Sequence, residues 1–199
     1  RQYRQKIIEL FNYSGKKVIL VGQDLGCTLL SIFLNRQDDS FKNTYVEEFI
    51  CVGSVFGGTF QSVLDFFNGI PEFGSKSSIL QQFDGIKLKL PNNHIYNDSD
   101  VFEYDGTKYK ASNLHSLVED LKIENFDADI FRPLQKESLE NPDVKTSFVN
   151  NSLTNHINAE LYDYWKPSSV LNINDMSSKL FNNYDAILFI IKKINIKVV

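Results

Sequence analysis

Residues Val18-Ile-Leu-Val-Gly-Gln-Asp24-Leu-Gly-Cys27 carry the strongest structural signal in this chain. The first four residues are apolar and predict a buried parallel strand. Gly22-x-Asp24-x-Gly26 predicts a sharp turn, and residues 27–34 predict the helix that follows. Glycines on both sides of a central residue at positive φ let strand and helix pass without a Cβ clash. The stretch therefore has the layout of a nucleophile elbow, with aspartate at the nucleophile position.

Asp24 changes the chemistry that this turn supports. Aspartate tolerates positive φ better than most residues, so the geometry of the turn is kept. Taken alone, the motif is also typical of a strand–turn–helix connection in which an aspartate caps the helix. The sequence on either side of the motif is needed to distinguish a nucleophile elbow from a helix cap.

Composition and charge narrow the class of protein. The chain has 199 residues, 42% of them hydrophobic and 13% aromatic, which is typical of a globular protein. A net charge of −4 without a basic cluster argues against nucleic acid as a partner. No apolar run reaches the roughly 18 residues that span a bilayer. Cys27 and Cys51 lie on predicted core elements and are expected to be buried free thiols.

The order of elements predicts an α/β fold. Residues 3–11 predict a helix, the elbow strand and its helix follow, and residues 49–53 predict a second buried strand. We expect a partial, mostly parallel sheet with flanking helices, as in an α/β-hydrolase core, plus an irregular helical cap insertion. We predict one domain with three parts. Residues 1–58 are the N-terminal part of the core sheet with the elbow, residues 59–174 are the cap, and residues 175–199 return to the core through a helix and a strand at 194–199. Because the chain starts at Arg1 and ends within a predicted strand, we also expect it to be a fragment.

Two segments flank the elbow: Gly15-Lys-Lys-Val-Ile-Leu-Val-Gly22 leads into it, and Tyr45-Val-Glu-Glu-Phe-Ile-Cys-Val-Gly-Ser-Val-Phe-Gly-Gly58 follows it. Together they resemble the lecithin:cholesterol acyltransferase family, which includes lysosomal phospholipase and phospholipid:diacylglycerol acyltransferases. That family has a Gly-His-Ser-x-Gly elbow and then an aromatic-rich strand ending in Gly-Ala-Pro-Trp-Gly-Gly. Here the second motif reads Gly53-Ser-Val-Phe-Gly-Gly58, so the proline is lost and Phe56 replaces the tryptophan. Residues 100–109 resemble a third family segment, with Tyr109 at the matching tyrosine. The likeness extends over nearly the whole chain, and the elbow and the Gly-Gly strand end are its specific parts.

The resemblance implies an activity and a set of site residues. The activity is transfer of a fatty acyl group from a phospholipid to an alcohol or water, without a cofactor or a metal. The substrates would be phospholipid and sterol- or diacylglycerol-type lipids, with peripheral membrane contact and a lysosomal, secreted or ER-lumenal location. Asp24 takes the nucleophile position and the backbone N–H of Leu25 is an oxyanion donor. Phe56 and Phe60 are candidates for an acyl-chain pocket, with ordinary core packing as the alternative.

The triad acid and histidine are expected outside this chain. The chain order in α/β-hydrolases is nucleophile, acid, histidine. We therefore expect the acid just after the strand at residues 194–199 and the histidine later still. The three histidines present, His94, His115 and His156, fall in the predicted cap and are expected to be surface or packing residues.

Aspartate is a poor substitute for serine in acyl transfer. Serine forms an acyl-enzyme ester that an alcohol or water resolves. A carboxylate attacking the same carbonyl would form a mixed anhydride, and its charge would occupy the donors meant for the oxyanion. Impaired acyl transfer is therefore expected.

Two other functional classes remain open. A non-catalytic relative would keep the fold to bind lipid or a partner protein. An Asp-nucleophile hydrolase of the haloalkane dehalogenase or epoxide hydrolase type would attack an sp³ carbon, and Gln23-Asp24 is similar to the elbow of dehalogenases. Those enzymes usually have Trp after the aspartate, where this chain has Leu25.

Overall fold

The computed structural model describes residues 2–70, 80–96, 99–120, 123, 128–151, 165–173 and 183–193. These residues form two compact units: one contains 1–54 with 140–199, and the other contains 55–139. In chain order the elements are α1 (Gln2–Ser14), β1 (Val18–Gln23), α2 (Leu25–Asn35), α3 (Asp39–Tyr45), β2 (Val46–Val52), α4 (Phe60–Asn68), α5 (Asp84–Leu88), α6 (Asn93–Tyr96), β3 (Asp100–Tyr104), β4 (Thr107–Lys110), a 3₁₀ turn (Ala111–Asn113), α7 (Leu114–Asp120), α8 (Ala128–Leu139), β5 (Thr146–Asn151), β6 (Ser169–Ile173) and α9 (Tyr184–Lys193).

A four-stranded parallel sheet is the centre of the first unit. Its order is β1-β2-β5-β6, and every neighbouring pair runs parallel. Gln23 lies opposite Val52, and Val52 lies opposite Val149. In a parallel sheet the carboxyl ends of all strands meet at one edge, which is where α/β proteins bind their ligands. The predicted α/β class, with a parallel sheet and flanking helices, is confirmed.

Helices cover the sheet because its strands are apolar on both faces. Phe49, Ile50 and Val52 of β2 have no exposed surface. Ile50 and Val52 pack with Val149 of β5 and Ala186 of α9 in one cluster. Such near-continuous apolar burial is typical of strands in a parallel sheet.

No helix in the described part of the chain is both long enough and apolar enough to cross a bilayer.

The second unit has a core of its own. Val63 and Phe66 of α4 pack with Leu90, Tyr109 and Leu117. The strands β3 and β4 form a hairpin that closes through Asp-Gly, with φ of 46° at residue 105 and 74° at residue 106. Positive φ at both central residues is what a two-residue hairpin turn requires.

The structure differs from the sequence interpretation within residues 59–174. Both β5 and β6 lie in that range, and both pair in the main sheet rather than in an insertion. The reason is composition: β5 reads Thr-Ser-Phe-Val-Asn-Asn, and all six residues are buried, polar ones included. Such a segment lacks the apolar run by which buried strands are recognised. The predicted helix before residue 193 is present as α9, while the strand predicted at 194–199 lies outside the described residues.

Candidate active site

Asp24 occupies a sharp turn between β1 and α2. Its backbone has φ 49° and ψ −122°, a region that residues with a side chain rarely adopt. The Asp24 N–H donates to the carbonyl of Val52 at 3.0 Å, and the Cys27 N–H donates to the carbonyl of Asp24 at 3.1 Å. The turn is thus held by the neighbouring strand on one side and by its own helix on the other. The predicted geometry is present, while the role of Asp24 as a nucleophile stays a prediction.

The two glycines of the elbow are not equivalent. A Cβ added at Gly22 would lie 2.8 Å from the backbone N of Cys27 and 2.9 Å from its Cα, so no side chain fits there. A Cβ added at Gly26 would meet no described atom within 4 Å beyond the helix's own backbone. Close packing of strand and helix therefore requires only the first glycine, whereas the sequence motif suggested that both were needed.

The capping interpretation of Asp24 does not fit the structure. Its side chain makes no capping hydrogen bond to α2, and its φ is positive where capping residues are extended. Asp38 shows the ordinary arrangement at α3, with φ −71° and ψ 156°, and its Oδ1 accepts from the Phe41 N–H at 2.7 Å. The Asp24 side chain, which is half-buried, is therefore positioned by the turn and not by helix capping.

Leu25 begins α2 directly after the turn. The first N–H groups of a helix have no partner within that helix, and the helix dipole adds positive potential there. An N–H at this position has the character that an oxyanion donor needs. This assignment for Leu25 remains a prediction.

Hydroxyl and amide side chains stand at the carboxyl ends of the later strands. Ser54 follows β2 after Gly53, and Asn150 and Asn151 end β5, all three with no exposed surface. The last residue of β6 is Ile173. Since these strands are parallel to β1, their ends lie at the same sheet edge as Asp24. The final residues of these described strands include no carboxylate and no imidazole.

The structure describes two of the three histidines in the chain. His94 is exposed on α6, as expected for a surface residue, and His115 lies on α7. His156 lies outside the described residues, as do residues 194–199. Within the described ranges no group of three His, Cys, Asp or Glu side chains is arranged to hold a metal ion.

The two cysteines lie beneath the elbow as free thiols. Cys27 and Cys51 are both fully buried and unpaired, which confirms the sequence prediction. The Cys27 thiol donates to the carbonyl of Val52 over 3.7 Å. Burial, reinforced by the adjacent Cys27, raises the pKa of the Cys51 thiol well above its ordinary value. A protonated, enclosed thiol is a packing group and not a nucleophile.

The candidate acyl-pocket residues have different surroundings in the second unit. Phe56 is 1% exposed, and its carbonyl accepts from Asn92 Nδ2 at 3.2 Å. Phe60 is 48% exposed, and its ring centroid lies 4.9 Å from that of Tyr96. Neither finding tests the predicted pocket, so the assignment stays a prediction.

The Gly57-Gly58 pair is explained by close backbone approach. A Cβ on Gly58, whose φ is 81°, would lie 2.3 Å from the carbonyl oxygen of Leu90. At Gly57 a Cβ would lie 2.8 Å from the Ile95 side chain. The hydroxyl of Tyr96 donates to the Gly58 carbonyl at 3.0 Å, and burial raises the pKa of this tyrosine to about 12.

Comparison with known proteins supports the resemblance seen in the sequence. Residues 1–85 match the family model described as lecithin:cholesterol acyltransferase. The lysosomal phospholipase A and acyltransferase of Rattus norvegicus is 27% identical over 129 residues, which cover 61% of this chain and 31% of that protein. The phosphatidylcholine-sterol acyltransferase of Oryctolagus cuniculus is 30% identical over 122 residues, which cover 55% of this chain and 27% of that protein. The alignments are shorter than the nearly whole-chain likeness read from the sequence, and the chain spans less than a third of either relative.

Two solved structures are similar to this chain at lower sequence identity. The lipase BlEst2 of Bacillus licheniformis has a TM-score of 0.38 and 15% identity, covering 83% of this chain and 54% of that one. The monoacylglycerol lipase of Paleococcus ferrophilus has a TM-score of 0.39 and 10% identity, covering 86% of this chain and 63% of that one. The likeness to the lecithin:cholesterol acyltransferase family model lies in residues 1–85, which contain the elbow and the Gly57-Gly58 pair.

Proposed function

We propose that this chain derives from a lipid O-acyltransferase or phospholipase and that its acyl transfer is impaired because Asp24 replaces the serine nucleophile. The observation that carries the proposal is the backbone of Asp24, with φ 49° and ψ −122° between β1 and α2. In this proposal the turn keeps the backbone geometry of a nucleophile elbow, and the residue at the nucleophile position carries a carboxylate.

The chemistry of a carboxylate at this turn opposes ester transfer. Attack on an ester carbonyl would form a mixed anhydride and expel an alkoxide, a far poorer leaving group than the carboxylate. The reverse reaction is therefore strongly favoured. The carboxylate also lies at the start of α2, where the positive end of the helix dipole stabilises a negative charge. Donors that would bind a developing oxyanion in a serine enzyme are here next to a carboxylate side chain.

The substrate class rests on the matched relatives. Their names describe action on phospholipid and on a sterol acceptor, so we assign phospholipid and sterol- or diacylglycerol-type lipids to this chain. Phe56 and Phe60 remain the proposed acyl-pocket residues, and peripheral membrane contact is part of the same proposal. Asp24 at the nucleophile position favours a non-catalytic protein that still binds such lipids.

A phospholipid deacylation assay tests the proposal. The full-length protein, Asp24→Ala and Asp24→Ser would be incubated with phosphatidylcholine vesicles, and released fatty acid would be measured. We expect wild type and Asp24→Ala to give equal background and Asp24→Ser to gain activity. Wild-type turnover that Asp24→Ala abolishes would overturn the chemical argument. Inactivity of Asp24→Ser would contradict the account in which a single residue caused the loss.

An Asp-nucleophile hydrolase is the second candidate, because the Asp24 side chain does not cap α2. In that reaction a carboxylate oxygen bonds to an sp³ carbon, and the carbon–halogen bond breaks with release of halide. For an epoxide the carbon–oxygen bond opens to an alkoxide that takes up a proton. Water then hydrolyses the alkyl ester and restores the carboxylate. Mass spectrometry after exposure to an alkyl halide or an epoxide would detect the ester on Asp24, and Asp24→Asn is the control. Absence of the adduct would eliminate this candidate.

A further inference from the structure

The first helix presents an exposed row of large side chains. Tyr3, Leu10 and Tyr13 of α1 are 64%, 44% and 94% exposed. Lys6 lies between Tyr3 and Leu10 in this row, with 70% of its side chain exposed. The four positions are spaced by three, four and three residues, so they lie along one face of the helix. A surface helix normally turns its apolar residues towards the core, so this row needs an explanation of its own.

The helix packs on the first unit through a different face. Ile7 is 4% exposed, and the Phe11 ring lies 5.1 Å from the ring of Tyr45 in α3. In the exposed row, Tyr3 reaches a neighbouring helix, with its ring 6.0 Å from that of Phe33 in α2. The helix is therefore anchored on one side and open on the other.

Positive charge is concentrated beside the exposed row. Residues 1–17 contain five arginine and lysine residues and one glutamate, a net charge of +4. The whole chain carries −4, so the remainder carries −8. Arg4 and Lys6 are already paired with acidic side chains. Lys16 and Lys17 are exposed and form no ion pair with any other described residue, so their charges are available to a partner.

The turn after α1 places the two unpaired lysines close to the end of the row. Gly15, at φ 66°, ends the helix, and its N–H donates to the carbonyl of Phe11 at 2.8 Å. The Lys16 N–H donates to Ser14 Oγ at 3.1 Å. The backbone from which the lysine side chains extend is therefore held at the helix end that carries Tyr13.

We propose that α1 and the turn after it dock on a membrane surface that contains anionic lipids. Tyrosine is enriched where hydrocarbon meets water, and leucine buries apolar area at the same depth. Lysine ammonium groups reach anionic headgroups while their stems cover apolar surface. The remainder of the chain is acidic and is repelled by such a bilayer, so charge selects this helix. The surface rests on the peripheral membrane contact proposed above and not on chemistry at Asp24.

Sedimentation of the full-length protein with lipid vesicles tests this surface. Vesicles of phosphatidylcholine alone would be compared with vesicles that also contain phosphatidylserine, at low and high salt. We expect binding that requires phosphatidylserine and weakens with salt. Each of Lys16→Gln and Lys17→Gln should weaken it about fivefold, and the double variant roughly tenfold or more. Tyr13→Ser should weaken binding as well, because it removes the interfacial ring.

The helix α9 supplies matched control variants. Tyr184 is 75% exposed and Lys192 is exposed, so they repeat the residue types of the proposed surface on another helix. Tyr184→Ser and Lys192→Gln should leave vesicle binding unchanged. Circular dichroism of each variant establishes that the fold is retained, so that weaker binding reports on the surface.

The possible failures are distinguishable. Absence of binding to either kind of vesicle would overturn this surface together with the proposed membrane contact. Binding that the Lys16, Lys17 and Tyr13 variants leave unchanged, or that the controls weaken equally, would overturn the surface alone. Equal binding to both kinds of vesicle would contradict the role of charge. A concentration-dependent dimer that Tyr13→Ser dissociates, without vesicle binding, would assign the row to a second copy of this chain.

Discussion

Lys193 Nζ donates to the buried carboxylate of Glu48 at 2.9 Å, which connects the end of α9 to the third residue of β2. Glu48 is 2% exposed and also contacts Lys145 Nζ at 3.1 Å. Ser147 Oγ donates to the same carboxylate and lies 2.8 Å from the hydroxyl of Ser169. Because Glu48 is near the start of β2, this polar cluster is at the opposite end of the strand from the elbow edge.

Replacing Glu48 with glutamine should destabilise the first unit. The substitution keeps the volume and leaves Lys193, whose side chain is only 21% exposed, without its counter-ion. Removing one partner of a buried ion pair lowers the free energy of unfolding by about 3 kcal/mol. Lys145→Gln is the control: its side chain is 49% exposed, so the loss should be below about 1 kcal/mol. Equal losses in urea denaturation would contradict the importance of the Lys193 contact.

The Glu48 carboxylate should make the free energy of unfolding depend on pH. Burial acts to raise the pKa of Glu48, but hydrogen bonds from Ser147, Lys193 and Lys145 outweigh it and hold that pKa below the ordinary value of 4.5. The unfolded chain therefore takes up the proton first as pH falls. The stabilisation from Glu48 is complete well above pH 4.5 and is lost as the pH falls through the lower pKa of the folded state. Urea midpoints between pH 7 and 3 should converge for wild type and Glu48→Gln at the acidic end. A constant difference would show that the carboxylate does not titrate as expected.

Alanine at the two elbow glycines should have opposite effects. Gly22→Ala places a Cβ against backbone atoms of Cys27, and overpacking of this kind costs about 1–3 kcal/mol of stability. Gly26→Ala has open space and lies in a helix, where alanine is favoured over glycine by up to about 1 kcal/mol. Thermal unfolding of both variants checks the pair. A stable Gly22→Ala would mean that strand and helix do not approach as closely as described.

Asp24→Gly should be more stable than the wild-type protein. The φ of 49° with ψ −122° is strained for any residue that has a Cβ, and glycine removes that strain. After the entropy cost of glycine in the unfolded chain, about 1 kcal/mol of stabilisation remains. Asp24→Ala keeps the Cβ and should leave stability nearly unchanged, so the two variants separate backbone strain from loss of the carboxylate. Equal stability of both variants would contradict a strained turn.

The sequence was sufficient to predict the elbow because local rules determine it. Four apolar residues, a glycine that strand–helix packing requires and a residue at positive φ are all recognisable within Val18–Gln23 and the turn that follows. The family resemblance rests on this stretch together with the Gly53-Ser-Val-Phe-Gly-Gly58 motif. These features depend on contacts between residues close together along the chain.

The sheet beyond β2 was not predictable in the same way. In β5, Ser147, Asn150 and Asn151 are fully buried although they are polar, and composition gives no sign of that burial. Only pairing with β2, some 100 residues earlier in the chain, makes the segment a central strand. The side chains at the carboxyl ends of β5 and β6 were missed for the same reason. A parallel strand between non-local neighbours leaves a weaker pattern than a helix or a hairpin.

The packing at Gly22 affects which substitutions the elbow can accept. The shape of the turn is fixed by the close packing of the Cys27 backbone against Gly22. It is also fixed by two main-chain hydrogen bonds, in which the Asp24 N–H donates to Val52 and the Asp24 carbonyl accepts from Cys27. None of these constraints involves the side chain at residue 24. These main-chain contacts hold the turn for any residue that tolerates the positive φ, whether its side chain is reactive or inert. A protein with this architecture can lose its chemistry in one step while its shape, and any binding that depends on shape, is inherited unchanged.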